Sequence, residues 1–310
     1  MSDVGPVFTL ENAAWAGAVP RLSVLIPFLR DDPVRLLGEL GGDGADIEIV
    51  VLDDGSNDEA LAARVGAAVR SHRRPARFVR LTRNEGRAAG RNRLARNARG
   101  RHLLFLDSDM APDRPDFLEC WLTIALRDDP AVAFGGFTLN RTPLARIHAL
   151  HRAMALASDC ASAEHRRLDP EKHVFTSNLL VRRDVFDEVA FDEAFAGWGW
   201  EDVEWAMRVG RRHRIDHVDN TASHLGLDAA PALAAKYEQS VANFARVASA
   251  HHDIVRAYPS YRVARALKRA PLRRYWRPVL KTAALAVAAP LAWRALAMRA
   301  YRAALYADVV

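Results

Sequence analysis

Cysteine is nearly missing from this chain: only Cys120 and Cys160 occur among 310 residues. With no paired spacing and no third partner, they exclude a disulfide framework and a thiolate metal site, and they fit a reducing, cytoplasmic compartment. Residues 1–20 lack a basic start followed by an apolar core, so no secretory leader is expected. Long apolar runs are missing too. The most apolar late stretch, residues 282–293, is too short for a bilayer span and contains Pro290, which argues against an integral membrane protein. A net positive charge is missing outside the tail. The net charge is +6, but residues 260–310 hold eleven Lys and Arg against Asp308 alone, so they carry +10 and the remainder −4. A mildly acidic body does not wrap nucleic acid, and no nucleic-acid partner is expected.

What is present is enough apolar sequence for one large core with appendages: 50% of residues are hydrophobic and 26% charged. The central stretch is His102 to Leu106, an apolar run closed by Asp107-Ser108-Asp109. Such a run reads as a buried strand, and ligands gather at the carboxyl ends of strands in open α/β sheets. Alternate residues of an extended segment share a face, so Asp107 and Asp109 can approach one hard cation that also holds phosphates; a solvated turn is the plainer alternative.

Further strands are expected at Leu22 to Pro27, Ile47 to Leu52 and Arg77 to Leu81, with helices at Glu59 to Ser71 and Gly86 to Ala98. Strand and helix alternate four times, which implies a parallel sheet covered by helices. The second strand closes in Asp53-Asp54-Gly55-Ser56, a turn whose carboxylates can accept from a base or a ribose. Asn84-Glu85-Gly86 opens a helix whose N-terminus favours anions, with Arg87 or Arg91 placed to clamp a diphosphate. Later strands are expected at Ala131 to Phe137, Val174 to Val181 and Arg214 to Val218, and a short helix at Asp184 to Val189. In Gly197-Trp198-Gly199-Trp200-Glu201-Asp202, tryptophan faces suit sugar rings and a carboxylate can serve as general base, or the acids simply enrich a first helical turn. His224 is a lone histidine, more often structural than ligating. Alanine-rich helix follows from Ala230, and Tyr261 to Arg277 reads as an interfacial basic helix.

In order along the chain, these motifs resemble the family 2 glycosyltransferases with the nucleotide-diphospho-sugar transferase (GT-A) fold. The likeness spans roughly residues 21–227. Asp53-Asp54-Gly55-Ser56 is similar to the family's nucleoside-binding turn, Asn84, Gly86, Arg91 and Asn92 to its Asn-x-Gly and Arg-Asn positions, and Asp107-Ser108-Asp109 to its Asp-x-Asp metal motif. Gly197 to Asp202 resembles the Gly-Trp-Gly-x-Glu-Asp segment of β-galactosyltransferases and N-acetylgalactosaminyltransferases. Trp200 stands where galactosyltransferases commonly have glycine, and Phe28-Leu29-Arg30 departs from the family's usual first-strand ending.

The resemblance implies an α/β GT-A fold with a mostly parallel sheet, organised as an arm (1–20), a catalytic domain (21–228) and a helical basic extension (229–310). It implies an inverting, metal-dependent hexosyl- or N-acetylhexosaminyltransferase that uses a nucleoside-diphosphate sugar, expected to be UDP-linked, and a glycan or lipid-linked acceptor. Asp107, Asp109 and His224 would hold Mn²⁺ or Mg²⁺. Pro27, Asp53, Asp54, Asn84, Gly86, Arg87, Arg91 and Asp107 would bind the nucleotide. Trp198, Gly199, Trp200 and Asn178 would contact substrate, Asp202 would be the base, and Glu201 would orient a substrate. The basic extension is expected to hold the enzyme on the anionic inner face of a membrane. A sugar-phosphate nucleotidyltransferase and an inactive binding or scaffold protein are the alternatives.

Overall fold

The computed structural model describes residues 7–271 and 273–310, so residues 1–6 of the expected arm and Leu272 of the expected tail lie outside the described residues. The chain divides into two compact units. One comprises Met1–Thr142, Ala161–Ala194 and Trp205–Gly226, and the other Pro143–Cys160, Phe195–Glu204 and Leu227–Val310.

The first unit holds all the described strands: β1 (Val7–Glu11), β2 (Leu22–Phe28), β3 (Ile47–Asp53), β4 (Ala76–Leu81), β5 (His102–Leu106), β6 (Met110–Pro112), β7 (Val132–Phe134), β8 (Phe137–Thr138), β9 (Asn178–Arg182), β10 (Ile215–His217) and β11 (Ala222–His224). Eight form one sheet in the order β1-β4-β3-β2-β5-β9-β7-β10, and three form a small sheet, β6-β11-β8. β2, β3, β4 and β5 run parallel. The expected mostly parallel sheet includes antiparallel pairing at two places: β9 runs antiparallel to both β5 and β7, and β1 antiparallel to β4. β1 comes from the segment read as an arm.

Alternate residues of each strand feed opposite faces. Val24, Ile26, Ile49, Val51 and Leu104 join one apolar cluster with Leu61 and Val65 of helix Glu59–Ser71 and Trp121 of helix Phe117–Arg127. Leu25, Val50, Leu52, Leu103 and Phe105 join the other, with Leu94 of helix Arg87–Asn97 and Trp205 of helix Glu201–Gly210. Burial on both faces is why these strands read as unbroken apolar runs. The run 131–137 is not one strand. β7 ends at Phe134, and the backbone turns through Gly136 (φ +81°) into β8 of the small sheet. Residues 174–177 precede β9 rather than belonging to it.

The chain winds β2 to β4 toward one side of β2 and returns with β5 on the other. The crevice at the carboxyl ends of β2 and β5 is therefore the topological switch point, where open α/β sheets bind ligands.

The second unit is helical: Ala149–Ser158, Ala230–Ala250, His252–Val255, Pro259–Lys268, Arg273–Leu285 and Leu291–Tyr306. Tyr306 stacks on Phe244 at 4.1 Å, and Glu238 accepts from both Tyr301 and Lys281. The segment Tyr261 to Arg277 is not the single interfacial helix expected: helix Pro259–Lys268 ends before Pro271, and Tyr261 is buried.

Candidate functional site

Asp53 ends β3, next to Phe28 at the end of β2, with Pro27 half-buried beside Leu52. Asp53 is fully buried. Its Oδ1 accepts from Ser56 N at 2.8 Å, while its Oδ2 has no hydrogen-bond partner and lies 3.5 Å from Arg80 Nε. Asp54 accepts from Glu85 N (2.8 Å) and Gly86 N (3.1 Å), so both its oxygens tie the Asp53–Ser56 turn to the start of helix Arg87–Asn97. Burial pushes the Asp54 carboxyl up to about 6, against the pull of those two N–H groups. Gly55 makes the tie possible: its φ is +78°, and a Cβ there would fall 2.3 Å from Arg83 C and 2.5 Å from Asn84 N. Asn84 is exposed beside it.

Asp107 follows β5 directly. Arg91, itself buried, donates to its Oδ1 at 2.9 Å, and Arg87 lies 3.8 Å from its Oδ2. Both arginines expected to clamp a diphosphate thus face the first carboxylate of the Asp-x-Asp motif. Asp109 pairs elsewhere, with His224 Nε2 at 3.2 Å from its Oδ2. Antiparallel pairing of β6 with β11 sets His224 opposite Met110, next to Asp109. Burial works to raise the Asp109 pKa, but the hydrogen bond and charge of His224, with Arg87 behind them, hold it below the usual carboxylate value. Sequence reasoning missed Gly226, where a Cβ would lie 2.0 Å from Asp109 Oδ2. The signal was a glycine two residues after the histidine. Among the described residues no three acidic, His or Cys side chains gather as a ready metal cluster: Asp109 pairs with His224, and Asp107 with Arg91 and Arg87.

Asn178 is a correction. It was expected to touch substrate, but it is fully buried and its amide is spent inside the fold, donating to Gly136 O and Asn220 O and accepting from Trp121 Nε1.

In the helical unit, Asn243 holds the tryptophan loop by donating to Ala196 O and Gly199 O at 3.0 and 2.9 Å. Trp200 takes φ +75°, a region that favours glycine. Its indole donates to Tyr306 and its ring lies 4.9 Å from Phe244, so it anchors the loop rather than lining a pocket as expected. Trp198 is half-buried near Tyr237 and Lys236. Glu201 is buried at 4% exposure, whereas Asp202 is half-exposed, with its Oδ1 accepting from Val203 N. Three acids in the first turn suit the positive end of helix Glu201–Gly210.

A mixed sheet with a carboxylate-lined switch point and an Asp-x-Asp turn defines a GT-A glycosyltransferase. The glycosyl transferase family 2 model matches residues 34–190, half of the chain, and the chain belongs to that family. The matched stretch carries Asp53 to Asp109 and ends before the tryptophan loop. Among solved structures, the mannosyltransferase PcManGT from Pyrobaculum calidifontis, in complex with GDP-Man and Mn²⁺, is similar over 95% of this chain and 88% of its own, with 16% identity and a TM-score of 0.57. S. aureus TarS 1-349 in complex with UDP-GlcNAc is similar over 91% and 89%, with 16% identity and a TM-score of 0.51. No curated protein sequence gives a significant match.

Proposed function

We propose that this glycosyltransferase inverts configuration and uses a UDP-linked sugar, with the diphosphate lying at the carboxyl ends of β2, β3 and β5. The observation that carries the reading is the Asp109–His224 pair, with Gly226 admitting the carboxylate where any Cβ would collide with it. A carboxylate and an imidazole suit Mn²⁺ or Mg²⁺, in keeping with the Mn²⁺ of the mannosyltransferase neighbour. Bound there, the cation would offset negative charge on the diphosphate leaving group. Asp53 Oδ2, buried and without a hydrogen-bond partner, would accept from the nucleoside. Asp202 would take the proton from the acceptor hydroxyl, since it is the more exposed of the two acids that open its helix. Glu201 would orient a substrate from its buried position, and Trp198 would face a sugar ring. The acceptor would be a glycan or lipid-linked saccharide, and the basic C-terminal segment would hold the enzyme on an anionic membrane surface.

The test is a panel of nucleotide sugars assayed for protection against thermal unfolding, with and without Mn²⁺. A UDP-sugar should raise the midpoint most, and more with the metal. Protection by a different nucleotide would replace the donor assignment, and no protection by any would remove the reading.

A further inference from the structure

Helices Arg273–Leu285 and Leu291–Tyr306 pack side by side, joined by residues 286–290, and the end where they join is apolar. Between Lys281 and Arg294 twelve consecutive residues carry no charge. In a folded protein such a stretch would normally be covered. Here Val287 is 83% exposed and Trp293 69%, with Leu291 and Leu296 exposed beside them. Lys281 and Arg294 at the two borders turn inward, to Glu238 and Ala284 O, so they leave the tip apolar. Further back, helix Pro259–Lys268 presents Arg262, Arg265 and Lys268 to solvent, and Arg299 is exposed on helix Leu291–Tyr306.

We propose that this hairpin tip, residues 286–293 with Leu296, is the wedge by which the enzyme enters the headgroup region of an anionic bilayer. This deepens the membrane reading above and rests on it. An apolar end led by tryptophan, backed by exposed arginine and lysine, matches a surface that is apolar beneath and negative above. A second copy of the chain is a poorer occupant, because it would bring another +10 segment against this one. No described helix is long and apolar enough to cross a membrane, so the tip dips without spanning.

The experiment uses the full chain with vesicles of phosphatidylcholine alone or mixed with phosphatidylglycerol, read by co-sedimentation. The wild type should bind the anionic vesicles and leave the neutral ones, and added salt should weaken binding. Val287→Glu and Trp293→Glu should each weaken it by about tenfold or more, with unchanged circular dichroism and thermal midpoint, because both side chains are in solvent. Leu156→Glu, also exposed on the helical unit but on helix Ala149–Ser158 and outside the tip, should bind as the wild type does. If both tip variants bind as tightly as wild type, the wedge is wrong while the membrane reading stands. If the wild type ignores anionic vesicles, both fall. Vesicle-independent dimers that Val287→Glu dissociates would assign the tip to a second copy instead.

Discussion

His224 Nε2 sits 3.2 Å from Asp109 Oδ2, although the two residues are more than a hundred positions apart in the chain. The small sheet β6-β11-β8 makes that approach: β11 brings His224 alongside β6, and Leu225 N donates to Asp109 O at 3.0 Å to close the strand end. The pair sets an acidic motif residue and an imidazole together at the switch-point edge.

The proposed base is tested by two isosteric changes. Asp202→Asn keeps the shape of a half-exposed side chain but cannot take a proton, so steady-state transfer should fall by about 10²- to 10⁴-fold with little change in nucleotide-sugar affinity. Glu201→Gln alters a buried group and should cost less in turnover. Near-normal transfer by Asp202→Asn with loss in Glu201→Gln would exchange the two roles.

Gly55→Ala should destabilise the first unit by about 2 kcal/mol or more, since it combines a positive φ with a collision against backbone that cannot swing aside. Chemical denaturation measures it. Because the collision parts the Asp53–Ser56 turn from Asn84, nucleotide affinity should fall along with stability.

Asp54 gives a pH signature. Its folded pKa, about 6, lies above the ordinary 3.8, so the folded state holds this proton more tightly than the unfolded chain. Its contribution to stability is therefore fully present below about pH 4 and is lost as pH rises through about 6. Asp54→Asn removes that titration, and its stability should vary less than the wild type's across the same window, as followed by denaturant midpoints at successive pH values.

Much of the first unit could be read from sequence because buried parallel strands are continuous apolar runs that end abruptly in polar turns. Helix Glu59–Ser71 and strand His102–Leu106 match the expected bounds residue for residue. The three-residue strands β6 and β11 could not be read, since their stability lies in pairing with segments a hundred residues away. Asn178 misled for the same reason: its partners Gly136, Asn220 and Trp121 are 42 to 57 positions off, so a buried joint looked like a polar ligand. Trp200 misled through its side chain. The backbone at that position is left-handed, a region that favours glycine, and the cost is offset by the indole's bond to Tyr306 and its packing on Phe244.

The central claim is that Asp109 and His224 form the seat of a divalent cation that a nucleoside diphosphate completes. Calorimetric titration of UDP into the wild type, Asp109→Ala and His224→Ala, each with and without Mn²⁺, tests it most directly. The wild type should bind UDP about tenfold or more tightly with the metal, Asp109→Ala should lose that gain, and His224→Ala should keep only part of it. Equal UDP affinity with and without Mn²⁺ in the wild type would contradict the account.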